Sequence, residues 1–242
     1  MAPPEPHRPG SFLTTRWSVV LAGARAAPPE RRAALEELAR SYWYPLYAYA
    51  RRRGHAPEEA ADHTQGFFAL LLEREDVARA DPARGRFRAY LLTAFRNFLA
   101  NQRELARARK RGGDRVALVL DAGEAEARLG HEPVERETPE RAFERAWVRA
   151  LLDRTLERLA AEQARIGRVA LFERLRPMLT AGDDAPRFAQ VAAELALSEN
   201  AVKVAAHRLR KRFGELLRAE IAETVDDPAE AEEELASLFR AC

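Results

Sequence analysis

The residues best suited to binding a ligand lie between Ser198 and Lys211, where polar and cationic side chains recur at helical spacing. Amide and cationic side chains bind the edges of bases, and further Lys or Arg side chains pair with phosphates. The expected outward set is Ser198, Glu199, Asn200, Lys203, His207, Arg208 and Lys211. Side chains of these types at this spacing predict a surface that binds double-stranded DNA.

Two short helices are needed to position these side chains. The stretch Arg187–Leu195 has the apolar spacing of a first helix, and Ser198 is a typical N-cap for a second, basic helix. Ala196-Leu197 then forms the turn, with alanine where glycine is usual. Two helices joined in this way are a helix-turn-helix, which places its second helix in the major groove.

The charge of the chain is segregated, although its net charge is only +2. Residues 84–115 carry ten basic residues against two acidic ones, and residues 203–218 carry six against one. Residues 219–242 reverse this balance, with eight acidic residues against one basic residue. Two basic blocks favour two separate contacts with one polyanion, while a solvated helix face remains the alternative for each block.

Enzymatic and membrane functions find no support in the residue pattern. The single cysteine is the terminal Cys242, so neither a disulfide framework nor a cysteine metal site is expected, and a reducing cytoplasm fits. The five histidines are scattered, and capping or surface roles are favoured for His55 and His63 over metal binding. No phosphate-binding glycine loop, nucleophile elbow or membrane-spanning apolar run is found. We therefore expect no catalytic site, no cofactor, no metal and no membrane span.

Helical periodicity predicts an all-α protein with two helical domains joined by a flexible linker. Apolar spacing indicates helices from Pro29 to about Arg53, from 57 to about 74 and over Phe87–Lys110, and it is lost over 112–139. Thr138-Pro139 begins a new helix, because threonine suits the N-cap and proline the first turn. The expected divisions are a flexible tail at 1–13, domains at 14–111 and 140–225, the linker at 112–139 and an acidic extension at 226–242.

Three segments resemble the sigma factors of bacterial RNA polymerase, in the extracytoplasmic-function group. The stretch Leu197–Arg212 is similar to sigma region 4. Pro57–Phe68 resembles region 2.2, whose core is an Asp-x-x-Gln-x-x-Phe pattern, and Asp81–Arg111 resembles regions 2.3 and 2.4. His63 and Gly66 depart from this pattern, since the family usually has an aliphatic residue and a glutamate there. The acidic extension is similar to that of a subset of these factors.

The resemblance implies three sets of functional residues. Asp62, Gln65 and Phe68 match the surface that binds the β′ clamp helices of core RNA polymerase. The set that captures and melts the −10 element matches Arg84, Arg86, Arg88, Tyr90, Arg96 and Asn97. The outward residues of the helix-turn-helix match the part that binds the −35 element. Contact with the β flap, and an anti-sigma protein as a candidate partner, are also implied. For Phe95 and Phe98 we expect core positions.

The implied function is a cytoplasmic promoter-specificity subunit that binds core RNA polymerase and opens promoter DNA. Two alternatives remain open at the level of the sequence. One is a one-component helix-turn-helix regulator, and the other is a sigma-like adaptor that binds a partner protein without melting DNA. The acidic extension either competes with DNA for the basic helix or packs against it.

Overall fold

The computed structural model of the protein describes residues 28–73, 87–108, 122–130, 137–180 and 187–222, with 232–233 and 235–236. α-Helix is the regular secondary structure of these residues, as predicted for an all-α protein. In chain order the helices are α1 (Pro28–Arg52), α2 (Pro57–Glu73), α3 (Phe87–Ala108), α4 (Ala122–Gly130), α5 (Pro139–Arg165), α6 (Val169–Leu175), α7 (Pro177–Thr180), α8 (Phe188–Glu194) and α9 (Glu199–Ala222). The predicted tail at 1–13 and most of the acidic extension lie outside the described residues.

α1 is the central helix, because every residue from 41 to 50 is buried. It packs against α2, α4 and α5. A helix that is enclosed around its whole circumference is stable only inside a core. The helix ends close to the predicted residue, and Gly54 follows it with a φ of +89°, the left-handed conformation of a C-terminal glycine. Within the described residues, no helix combines the length and the apolar character that crossing a membrane requires.

Two clusters of buried apolar side chains organise the described residues. The first core combines α1, α2, α3 and α4 with the N-terminal half of α5 and the C-terminal end of α9. The second core joins the end of α5 to α6, α7, α8 and the earlier turns of α9. Phe213 contacts both cores. Two continuous helices, α5 and α9, therefore connect the cores.

α5 begins where the sequence predicts and connects the N-terminal helices to the C-terminal ones. The backbone N–H of Arg141 donates to the hydroxyl of Thr138 at 3.2 Å, which is the expected N-cap. Farther along α5, Arg154 donates to the hydroxyl of Ser41 on α1 and lies 3.3 Å from the carboxylate of Glu220 on α9. One cationic side chain thus contacts both of the long helices that flank α5.

The region predicted as a linker, 112–139, contains helix α4. Ala125 and Leu129 of this helix are buried in the first core. Its Glu126 accepts hydrogen bonds from Arg51 at 2.7 and 2.9 Å and from the hydroxyl of Tyr47. Residues 122–130 therefore differ from the expected flexible linker, because docking on α1 and α2 stabilises a helix too short to form alone. The division of the chain into two domains stays a prediction.

The Arg51–Glu126 pair generates a prediction for stability. Hydrogen bonds from Arg51 outweigh partial desolvation and lower the pKa of Glu126 below its ordinary value of 4.5. We expect Glu126→Gln to reduce the free energy of unfolding by about 1 kcal/mol near pH 7, a modest figure because the carboxylate is partly exposed. Urea denaturation of both proteins at several pH values measures this difference.

The same measurement has a defined pH dependence. A carboxyl with a lowered pKa contributes stability above its unfolded pKa, and that contribution is lost as pH falls through the folded pKa. The difference between wild type and Glu126→Gln should accordingly shrink below about pH 4.5. Glu157→Gln, at an exposed position of α5, is the matched control and should leave stability unchanged. A Glu126→Gln variant as stable as wild type at neutral pH would contradict the docking role of α4.

Candidate nucleic-acid interface

The turn between α8 and α9 has the geometry of a helix-turn-helix. The backbone N–H of Leu197 donates to the carbonyl of Ala192 at 2.9 Å and closes the turn. Ala196 adopts a φ of +52°, the one positive value at a non-glycine among the described residues. A left-handed alanine costs about 1 kcal/mol, so the surrounding contacts hold it there. Ser198 caps α9 as predicted, since its hydroxyl accepts from Ala201 N–H at 3.2 Å.

All seven residues predicted to bind the −35 element are exposed. They are Ser198, Glu199, Asn200, Lys203, His207, Arg208 and Lys211. The opposite side of α9 is buried in the second core through Val202, Ala206 and Leu209. A helix with one face fixed in a core holds its other face in a defined orientation. This face is the candidate duplex-binding surface.

Salt bridges divide the cations of α9 into two groups. Arg212 makes two hydrogen bonds to Glu162 of α5, at 2.7 and 2.8 Å, and a third to Glu215 at 3.0 Å. These bonds raise the pKa of Arg212, and they lower that of Glu162 despite some desolvation. Among the residues that the structure describes, Lys203 forms an ion pair with Glu199 of its own helix, at 2.7 Å. Arg208 and Lys211 have no ion pair within the described part of the chain, which leaves them suited to an external anion.

An apolar groove lies beside this face, between the end of α5, α6 and α9. Its volume is about 520 Å³. Three large apolar side chains that line it, Ile166, Leu197 and Val204, are more than two-fifths exposed. Arg208 lies at the junction, because it lines the groove and belongs to the exposed basic face. The sequence does not distinguish the groove, because Leu197 and Val204 stand among other apolar residues such as Val202, which is buried.

The residues expected to bind core polymerase lie on α2, and only two reach the surface. Asp62 is exposed and Gln65 is partly exposed. Phe68 is 1% exposed and packs in the first core, with its ring centroid 6.0 Å from that of Phe67. The expected role of Phe68 as an anchor for a partner is therefore replaced by a role in the core, because its ring is enclosed.

The residues expected to capture the −10 element also divide into exposed and buried ones. Arg96 and Asn97 are exposed on α3, and Tyr90 is partly buried. Arg88 is 8% exposed, and its guanidinium carbon lies 4.7 Å from the ring centroid of Trp147. A buried cation stacked on an indole connects α3 to α5. Arg88 is therefore a structural residue, and its expected role as a DNA contact is corrected.

Arg84 and Arg86 lie outside the described residues. Phe95 and Phe98 are buried, as expected.

Comparisons with known proteins give no match: no family model, no curated protein and no solved structure aligns with this chain. The assignment of a function therefore depends on the residues and on the geometry described above.

The stacking of Arg88 on Trp147 gives a prediction that separates structural from surface arginines. Arg88→Ala should lower the free energy of unfolding by about 1–2 kcal/mol, because a desolvated cation–π contact is lost. Arg96→Ala, on the same helix but exposed, should stay within about 0.5 kcal/mol of wild type. Thermal and chemical denaturation compare the two variants. Equal stability of both variants would show that the Arg88–Trp147 contact contributes nothing.

Two matched variants of α9 test whether its unpaired cations bind DNA and its paired cations stabilise the fold. Arg208→Ala should weaken binding to all duplex sequences about equally, reduce the salt slope of binding by about 1 and leave stability unchanged. Arg212→Ala should lose about 1 kcal/mol of stability, through the exposed pair with Glu162, and change affinity little. Binding is measured with the full chain on duplexes selected from a random-sequence pool. The reverse assignment, with Arg212 needed for binding and Arg208 not, would place the DNA surface elsewhere.

Proposed function

We propose that the protein is a promoter-specificity subunit of bacterial RNA polymerase, similar to sigma factors of the extracytoplasmic-function group. One observation carries the proposal: the capped helix α9 presents all seven of its predicted DNA-binding residues to solvent while its opposite face is buried. The exposed Arg96 and Asn97 on α3 support a second DNA contact. The two-domain organisation expected from the sequence belongs to this proposal as well, with helix α4 inside the segment that joins the domains.

In the proposed mechanism α9 enters the major groove of the −35 element with its N-terminal turns. Asn200 and Lys203 donate to base edges, and Glu199 accepts from a cytosine amino group. Because Lys203 is paired with Glu199 in the unbound protein, binding separates this pair and gives each side chain a base partner. Arg208 and Lys211, farther along the helix, pair with phosphates.

The second contact is proposed on α3. In this proposal Arg96 binds a phosphate of the displaced strand, and Asn97 binds the edge of an unpaired base. Tyr90, which is partly exposed, offers an aromatic face on which such a base can stack. The protein performs no bond chemistry in this scheme, since it binds and opens the duplex while the polymerase adds nucleotides.

The polymerase contact is proposed on α2, through Asp62 and Gln65. A carboxylate and an amide three residues apart share one helix face and can pair with cationic side chains of the β′ clamp helices. Phe68 supports this face from beneath, inside the first core. Contact with the β flap, an anti-sigma partner and a cytoplasmic location remain predictions from the resemblance.

The test is a comparison of two binding assays on one variant. Asp62→Ala combined with Gln65→Ala should weaken binding to core RNA polymerase by at least about tenfold, because charge-assisted contacts are lost. Binding of the same variant to selected duplex DNA should change less than about twofold. Glu58→Ala, an exposed acid on the same helix, is the control and should retain both activities.

Two results would contradict the proposal. Equal losses in both assays would refute the separation of the polymerase and DNA surfaces. Failure of the wild-type protein to bind core polymerase, with duplex binding intact, would favour a one-component regulator instead.

A further inference from the structure

Three potential metal ligands converge where α1 gives way to α2. Glu59 Oε1 lies 3.1 Å from Nδ1 of His55 and 3.4 Å from Nε2 of His63. The ligand atoms of the three side chains all lie within 4.8 Å of one another. No other group of this kind is found among the described residues. None of the three residues belongs to the sets assigned to DNA and to polymerase.

The backbone fixes this convergence. The N–H of His55 donates to the carbonyl of Ala50 at 3.2 Å, and Arg51 donates to the carbonyl of His55 at 2.5 Å. The corner after α1 is thereby closed, which sets His55 just before the first turn of α2. Glu59 and His63 follow at intervals of four residues, and side chains at this spacing lie on one face of a helix. The three ligands thus share one side of the corner.

The distances suit a small divalent cation. Zinc bonds to histidine nitrogen at about 2.0–2.1 Å and to carboxylate oxygen at about 2.0–2.2 Å. Two ligands of a tetrahedral ion with such bonds lie about 3.3–3.5 Å apart. The two separations from Glu59, 3.1 and 3.4 Å, are near that value, and all three ligand atoms lie within 4.8 Å of one another. Rotation of the side chains can therefore bring the three ligand atoms to the distances that such an ion requires.

The surroundings hold the two imidazoles in place and leave one side open. The ring centroids of His55 and His63 lie 4.9 Å apart at 90°, and His63 also packs edge-on against Phe98 of α3 at 6.4 Å. His55 is 4% exposed, whereas the Glu59 side chain is 53% exposed. Solvent can reach the carboxylate side, where a water molecule would complete the coordination of an ion with three protein ligands.

The donor atoms of the three side chains indicate which ions they can bind. Two imidazoles and one carboxylate favour zinc-like transition-metal ions over Mg²⁺ or Ca²⁺, which prefer oxygen ligands alone.

We propose that His55, Glu59 and His63 form a binding site for a divalent transition-metal ion such as Zn²⁺. The ion would connect the corner after α1 to the second turn of α2, next to Asp62. The spacing of the histidines alone favours capping roles, and the position of Glu59 between them changes that interpretation. The site does not depend on the proposed function.

The test uses the full chain without an affinity tag, freed of metal by a chelator. Calorimetric titration with Zn²⁺ should show one equivalent bound per chain, and the thermal midpoint should rise with Zn²⁺. Co²⁺ should give the visible absorption of a tetrahedral site with nitrogen and oxygen ligands. Absence of stoichiometric Zn²⁺ binding would overturn the proposal.

Variants locate the bound ion. Glu59→Gln and His63→Gln should each weaken Zn²⁺ binding by at least about tenfold, while Glu58→Gln and His207→Gln should stay within about twofold of wild type. The buried His55 is left intact, and circular dichroism without metal checks that each variant is folded. Zn²⁺ affinity unchanged in both Glu59→Gln and His63→Gln, or lost in His207→Gln, would show that the ion binds elsewhere.

Discussion

Burial of α1 determines where the other helices of the first core lie. Ten consecutive residues of this helix, 41 to 50, are buried, so it needs partners on every side. α5 forms the most extensive interface with α1, through Phe143, Trp147 and Leu151, and α2 and α4 cover other sides. Since apolar burial is the main favourable contribution to folding, helices far apart in the chain are held together here. The surfaces proposed to bind polymerase and DNA are built on this scaffold.

α5 and α9 connect the first core to the second. Each helix contributes buried residues to both cores, and Arg154 and Arg158 of α5 bind Glu220 of α9 where the helices pass. Glu220 is 8% exposed, and a buried carboxylate requires such partners. The exposed faces of α2, α3 and α9 are therefore supported by helices that share side-chain contacts. Within this framework, the exposed polar residues of α9 are available for binding because Val202, Ala206 and Leu209 fix its opposite face in the second core.

The sequence predicts features that depend on local patterns. The caps at Thr138 and Ser198, the end of α1 close to Arg53 and the exposed face of α9 follow from residue type and helical spacing, and the structure has each of them. Features that depend on tertiary contacts are not predictable in this way. Arg88 lies in a basic, aromatic segment, and only the approach of Trp147 shows that its charge is buried. Helix α4 could not be predicted for a similar reason, because its few apolar residues indicate a buried helix only when α1 is known to lie against them.

We propose that two exposed faces on one helical scaffold, on α3 and α9, open promoter DNA for core RNA polymerase. The most direct measurement is permanganate mapping of unpaired thymines on genomic DNA, with core polymerase from the same organism, in the presence and absence of the protein. The claim predicts unpaired thymines near −10 at a defined set of sites, which appear only when protein and polymerase are both present. Occupied sites whose thymines stay unreactive in the presence of both would contradict it.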